Sequence, residues 1–378
     1  MKILLSIHHP LDPYSGASGT VLKLGQIYQS LGHEVHYLSH DNLPSKVPEA
    51  FFPAFVAAYL YKHNHRYRFD VIDASTGDAW IWGSFLRNFS SNRPLLVTHN
   101  HGLEHNVHLE ILEEAKRGNL QLSWKYPFYR GSILLWEVAN SLRCADLVFL
   151  LNKKDMTYAT KVLSVSKERI HIIPNGISEE LLDLPFEALP ISNQSLQIAS
   201  IGTYISRKGI HYSVPALEKI LTIYPHVSVS FLGTCCPEER VYADFDRAVH
   251  DRIKVIPRFQ QDQLPSLLKG HAIKLFAPLS EGFGNALIEA MACGLAPITT
   301  ATAGPLEIVN NGHDAMVVPP RDSEAIKQAL DRLITDRPYL EQLRRNAHIT
   351  AQKYSWVNTA QKRLALYENA ISQRNNYA

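Results

Sequence analysis

The sequence predicts an α/β chain of two doubly wound domains, each a parallel sheet covered by helices on both faces. Three observations predict it. Short β-branched runs alternate with stretches of helical period, the pattern of sheets buried on both sides. The alternation breaks over residues 181–195, where two prolines and little periodicity read as a linker, and then starts again. With 378 residues the chain is long enough for two cores.

In order, residues 3–7 read as a buried first strand, followed by a glycine loop at Gly16–Gly19 and a helix from about Thr20 to Leu31 that Gly32 stops. Strands follow at 34–38, 70–72, 95–98, 147–151 and 171–173, completing a first domain over 1–180. After the linker a second series runs at 197–202, 227–233, 253–256, 273–277, 296–299 and 315–318, within a domain of 196–355. Two such domains facing each other make a central cleft at the carboxyl ends of their strands, where open α/β sheets bind ligands.

Composition narrows the function. The net charge is +2, from 38 basic and 36 acidic residues, which gives no electrostatic case for nucleic acid as a partner. Cys144, Cys235, Cys236 and Cys293 lack Cys-x-x-Cys spacing, and adjacent cysteines rarely bridge, so a reducing, cytoplasmic setting is expected. The apolar run in the first seven residues is too short for a signal peptide, and no stretch reaches about 18 apolar residues.

The most informative segment is Glu281-Gly-Phe-Gly-Asn-Ala-Leu-Ile-Glu289, two carboxylates eight positions apart around a Gly-x-Gly turn that opens a helical stretch. If helical throughout, eight residues rise ~12 Å, so both carboxylates border one groove. A carboxylate accepts two hydroxyl hydrogen bonds, which suits Glu281 to a hexose and Glu289 to a ribose diol. Free N–H groups at the helix opening suit an anion. Taken alone, two solvated glutamates on a capped surface helix explain this segment better; the order of the surrounding segments reverses that preference.

Those segments are Gly16-Ala-Ser-Gly19, Gly32-His-Glu-Val35, His101-Gly-Leu-Glu104, Ile173-Pro-Asn-Gly176, Arg207-Lys-Gly209, Glu281 to Glu289, Gly304-Pro-Leu-Glu307 and Val317-Val-Pro-Pro320. In this order they make the chain resemble the retaining glycosyltransferases of family 4 (glycosyl transferases group 1). The resemblance implies the GT-B fold, two Rossmann-like α/β/α domains, and a final helix over 356–378 that crosses back to the first. It implies a nucleoside-diphosphate sugar as donor, a metal-independent reaction with no cofactor, and an acceptor (glycan, lipid-linked or small molecule) held by the first domain. It places the ribose on Glu289, a sugar hydroxyl on Glu281, and the sugar or diphosphate on backbone N–H groups of Phe283, Gly284 and Asn285. Lys208 with Arg207 would neutralise the diphosphate, the Gly16 loop would offer further donors, and His101 would adjoin the donor sugar, with His99 the alternative register. Catalysis would thus rest on His101, Glu281 and Lys208, and front-face attack is favoured over double displacement. Two departures stand out: Gly202-Thr203 where many relatives place an arginine after the glycine, and Ala17 where the family has a second glycine. The rival readings are another GT-B enzyme, such as a sugar-nucleotide epimerase, and a catalytically silent sugar-binding protein on the same fold.

Four histidines at 99, 101, 105 and 108 suggest zinc, but only His105 and His108 have helical i, i+3 spacing and no cysteine accompanies them, so no metal is expected. The apolar run 51–61 with Lys62, Arg66 and Arg68 at its end reads as a core helix and leaves peripheral membrane contact open. Trp124, Tyr126, Phe128, Tyr129 and Trp136 read as packing in the same way.

Overall fold

The computed structural model describes residues 1–13, 15–44, 47–90, 93–188 and 195–377, so residues 189–194 of the expected linker lie outside it. The chain divides into two compact units. The first comprises residues 1–109, 122–176 and 356–378, and the second 110–121 and 177–355. The division after Gly176 falls earlier than the expected end at 180, because the chain from Ile177 pairs with Ser355 and a helical turn at Glu179–Leu182 already belongs to the second unit.

In the first unit the strands are β1 (Lys2–Ile7), β2 (Glu34–Ser39), β3 (Val71–Ser75), β4 (Leu95–His99), β5 (Leu147–Leu150) and β6 (Ile170–Ile172). They form one parallel sheet in the order β2-β1-β3-β4-β5-β6. Every residue of β3, β4 and β5 is buried, as continuous apolar strands under two helical layers must be. The helices are α1 (Gly16–Ser30), α2 (Phe52–Tyr67), α3 (Glu104–Lys116, whose residues from Glu110 on belong to the second unit), α4 (Leu134–Cys144) and α5 (Lys153–Lys161). The helix expected from Thr20 starts at Gly16, where the Thr20 hydroxyl donates to the Gly16 carbonyl at 2.8 Å. Gly19 is the glycine this turn needs: a β-carbon there would lie 2.8 Å from the Pro13 carbonyl oxygen. On α2, Phe52, Val56 and Leu60 at i, i+4 spacing are buried, so the run 51–61 is a core helix with only Phe51 and Tyr61 strongly exposed among its large apolar side chains.

The second unit adds β7 (Leu196–Ile201), β8 (Val227–Leu232), β9 (Ile253–Ile256), β10 (His271–Phe276), β11 (Ala296–Thr300) and β12 (Met316–Val318), parallel in the order β12-β11-β10-β7-β8-β9. Its helices are α6 (Glu179–Leu182), α7 (Ile210–Ile223), α8 (Glu238–Tyr242), α9 (Leu264–Leu268), α10 (Asn285–Ala292), α11 (Ala303–Ile308), α12 (Ser323–Thr335) and α13 (Arg337–Ala351). The chain winds outward from β7 to β9, then returns to β7's other side with β10. That reversal makes the carboxyl ends of β7 and β10 the topological switch point of the unit, the place where open sheets bind ligands.

The last helix, α14 (Trp356–Tyr377), belongs to the first unit. Trp356, Ala360, Leu364 and Tyr367 share its core with Leu24, Tyr28 and Phe149. Arg363 reaches Asp73 on β3 at 2.7 Å, and the Tyr367 hydroxyl donates to the same carboxylate. Among the described residues no helix is long and apolar enough to cross a membrane.

Candidate functional site

At the switch point of the second unit two loops are tied together. The Leu279 amide donates to the Arg207 carbonyl at 2.9 Å. Gly209, at φ +76°, lets them meet, because a β-carbon there would lie 1.9 Å from the Ala277 carbonyl oxygen. This contact sets the short 3-10 turn Ser206–Lys208 against the end of β10, and the Lys208 ammonium meets the Glu281 carboxylate at 2.5 Å. Burial pushes the Glu281 carboxyl up, but Lys208 and Arg207 outweigh it and hold it below the usual carboxylate range. Arg207 itself is exposed.

Beyond Glu281 the chain turns at Gly284, φ +116°, which caps α10. The helix therefore begins only at Asn285, so the eight-residue interval from Glu281 to Glu289 is half loop and half helix, not the two-turn ladder expected. Gly304 explains how the loop is held. A β-carbon there would lie 2.4 to 2.6 Å from backbone atoms of Phe283, and its amide donates to the Glu281 carbonyl at 3.0 Å. Glu289 accepts from the Gln261 side chain at 2.7 Å, and burial raises its carboxyl to about 7. The arrangement offers two carboxylates, two cations and the N-terminus of a helix.

The sequence did not single out Lys274, a lysine fully enclosed in β10, where burial drives its amine well below the ordinary pKa. A lysine in the middle of an otherwise apolar strand, Ala272-Ile-Lys-Leu-Phe276, was the available signal.

In the first unit the histidine loop separates into distinct roles. His99 is enclosed at the end of β4: Nδ1 lies 2.6 Å from Asp73 and Nε2 2.8 Å from the Ser75 hydroxyl. Serine, histidine and aspartate so connected resemble a hydrolytic triad, but Ser75 has no exposed surface and Arg363 holds the other Asp73 oxygen, so the group is a structural brace. Burial pushes Asp73 up, and Arg363 and His99 outweigh it to hold the carboxyl down to about 2. His101 is the freer histidine. Its Nε2 has no partner, and burial drives the ring well below its ordinary pKa, so it is neutral near pH 7. It lines a small cavity of mixed character with His99, Asn100, Asn175, Thr359 and Arg363 and the apolar Phe149 and Leu151, and Asn100 likewise leaves its amide atoms unpartnered. His105 and His108 lie apart from this cavity, against Tyr158 and Tyr126. Gly16 opens α1 with free space around it.

Among the described residues, one group places three ligand-type side chains together: His8, His9 and Glu49, with ligand atoms within 4.8 Å of one another. His8 Nδ1 lies 2.7 Å from the buried Asp78, which outweighs the lowering effect of burial and raises the imidazole to about 9. A metal there would have to displace that proton.

Comparison with known proteins fits this fold. The family model "Glycosyltransferase Family 4" matches residues 14–181, and "Glycosyl transferases group 1" matches residues 185–350. An uncharacterized glycosyltransferase of Methanocaldococcus jannaschii is 23% identical over 59% of this chain, which spans 60% of that protein's length. The phosphatidylinositol N-acetylglucosaminyltransferase gpi3 subunit of Schizosaccharomyces pombe is 23% identical over 95% of this chain and 79% of its own length. Sucrose-phosphate synthase of Thermosynechococcus elongatus superposes with a TM-score of 0.78 at 20% identity, covering 98% of this chain and 99% of its own. An Anabaena protein solved with UDP-glucose superposes at 0.69 and 18% identity, with both chains covered completely.

Proposed function

Because the chain belongs to the group 1, family 4 glycosyltransferases, we propose that it moves a sugar from a nucleoside-diphosphate donor to an acceptor hydroxyl, with retention and without a metal. The Lys208–Glu281 pair at the switch point, beside the N-terminus of α10, carries this reading. In the front-face course the anomeric carbon–oxygen bond to the diphosphate breaks while the acceptor oxygen bonds the same face. The acceptor's proton passes to the departing phosphate oxygen. Negative charge therefore grows on the diphosphate, and Lys208 with Arg207 is placed to meet it, a metal ion's task in other transferases. Glu281, kept ionised by these cations, accepts from a sugar hydroxyl, while the α10 amides take phosphate or sugar oxygens. The UDP-glucose complex of the Anabaena neighbour makes UDP-sugars the first donors to try.

For the acceptor, the first unit offers an observation that the sequence reading missed. Trp124, Phe128 and Trp136 are 75%, 66% and 53% exposed, and were expected to be packed. Trp80 stacks edge-on against Trp136 at 4.7 Å, and the Lys125 ammonium lies 5.5 Å over Trp124. Exposed tryptophans beside cations suit a membrane interface, which supports a lipid-linked acceptor met by peripheral contact. The fission yeast relative, a phosphatidylinositol N-acetylglucosaminyltransferase subunit by name, accords with such an acceptor.

The direct test is a scan of nucleotide sugars for transfer or slow hydrolysis, with and without EDTA. One donor is expected to release its diphosphate, to give product of unchanged anomeric configuration by NMR, and to do so undiminished in chelator. Inverted product, or activity lost to EDTA and restored by a divalent ion, overturns the corresponding part of the reading.

Glu289 makes a second expectation. Its carboxyl is raised to about 7, so the ionised form that best holds a ribose diol prevails above that pH and is lost as pH falls through it. Wild-type affinity for the free nucleoside diphosphate should therefore decline from pH 8 to pH 6. Glu289→Gln should bind about five- to a hundredfold more weakly at pH 8, ~1–3 kcal/mol for one lost charge-assisted pair, and show no such decline. Calorimetry across pH decides it; a Gln variant with wild-type affinity would remove Glu289 from the ribose.

A further inference from the structure

His8 and His9 leave β1 at its carboxyl end, and the transfer chemistry gives neither of them a task. Both are nevertheless held in place. The His9 carbonyl accepts from the His40 amide, just past β2, at 3.3 Å. Asp78 follows β3, the strand paired with β1, and its amide donates to the Ser75 carbonyl at 2.9 Å. The Asp78 side chain is buried and both of its oxygens are engaged: Oδ2 accepts from the Ser6 hydroxyl at 3.2 Å, and Oδ1 lies 2.7 Å from His8 Nδ1. A carboxylate oxygen only accepts, so His8 Nδ1 carries the proton and Nε2 is the nitrogen left for another partner.

That nitrogen meets two further ligand atoms. It lies 3.7 Å from Glu49 Oε1, His9 Nδ1 lies 3.6 Å from the same oxygen, and all three atoms are within 4.8 Å of one another. Ligand atoms at about 2.1 Å from a tetrahedral zinc stand about 3.4 Å apart, so modest side-chain rotations close the set. The side chains have room to make them. Those of His9 and Glu49 are 44% and 49% exposed, and Glu49 opens the short 3-10 turn Glu49–Phe51 ahead of α2.

The buried carboxylate behind His8 is the feature that separates this group from a chance meeting of surface side chains. A histidine that ligates a metal donates its other ring N–H to a carboxylate or carbonyl, which fixes the tautomer and makes the ligating nitrogen more basic. Ser6, Asp78 and His8 form that chain of hydrogen bonds here. The proton that a metal displaces is the one on Nε2, whereas the one shared with Asp78 stays.

We infer that His8, His9 and Glu49 form a site for a divalent transition-metal ion, zinc foremost, with Asp78 as the positioning carboxylate behind His8. Two imidazole nitrogens and one carboxylate oxygen suit zinc or cobalt, whereas magnesium and calcium take oxygen ligands. Three protein ligands leave a fourth position for water or for an oxygen of a bound molecule. All four residues belong to the first unit and the cations assigned to the diphosphate, Lys208 and Arg207, to the second, so this ion takes over no part of their work.

The test titrates zinc into the full chain against a chromogenic chelator, and then cobalt for its visible spectrum. The wild type should take up zinc at a single site, and zinc should raise its thermal midpoint by mass action. His9→Ala and Glu49→Gln, both at half-exposed side chains, should each abolish uptake and the thermal shift while leaving the metal-free midpoint unchanged. Asp78→Asn should weaken zinc binding about ten- to a hundredfold, the usual cost of removing an outer carboxylate. The cobalt form should absorb as a nitrogen–oxygen complex without a thiolate charge-transfer band. A wild type that takes up no zinc overturns the inference, as does uptake within about threefold of the wild type in both His9→Ala and Glu49→Gln. A thiolate band overturns it too, since the metal would then sit on cysteines such as the adjacent Cys235 and Cys236. Asp78→Asn with wild-type affinity would strip Asp78 of its positioning role.

Discussion

Lys208→Ala should lower turnover by about a hundred- to a thousandfold, the range seen when one preorganised donor to a developing oxyanion is removed. Substrate and leaving group differ in charge at the bond that breaks. A cation meeting that charge binds the transition state better than the ground state, so kcat should fall far more than donor affinity. The same substitution strips Glu281 of its 2.5 Å partner. With the cation gone, burial is left as the dominant influence on that carboxyl, its pKa should rise, and the acid limb of the activity profile should move to higher pH. Steady-state kinetics across pH with the donor found by the scan checks both effects. A raised KM with unchanged kcat would reduce Lys208 to a binding residue.

His101→Ala should cost about a hundredfold in transfer while leaving nucleoside-diphosphate affinity within about threefold. The expectation follows from the free Nε2 of a neutral ring in a small cavity of the first unit, whereas Lys208, Glu281 and Glu289 lie in the second. His99→Ala separates the alternatives. Its ring braces Asp73 and Ser75 in the interior, so its loss should lower stability by about 2–4 kcal/mol and depress the thermal midpoint. Full-length variants compared by calorimetry and initial rates give a clear division. Transfer unchanged in His101→Ala, but abolished in a still-folded His99→Ala, would reverse the two roles.

The twelve strands were legible because each is a short β-branched or apolar run bounded by turn residues, and parallel sheets bury such runs whole. The donor-side segments were legible as motifs, and Gly209 and Gly304 show why: each lets backbone meet backbone where a β-carbon cannot fit, which ties the motif to one geometry. What was illegible depended on partners distant in sequence. Nothing near His99 announces that Asp73 holds it, or that Arg363, 290 residues from Asp73, holds the aspartate in turn. Periodicity identified the 51–61 helix correctly as core, but could not separate it from the aromatic stretch 124–136, because both are rich in rings and only packing distinguishes covered from bare ones. The start of α10 was legible as the Gly-x-Gly turn, whose second glycine, Gly284, caps the helix at positive φ.

The return of α14 to the first unit has a consequence for synthesis. A ribosome completes β1 to β6 long before it reaches Arg363 and Tyr367, so the nascent sheet carries Asp73 without the guanidinium that compensates it. The second unit, whose residues all precede Trp356, can settle first, although it is translated mostly later. The sheet encoded first is thus completed after the second unit, and a break in the reading frame just before Trp356 would harm the sheet of β1 to β6.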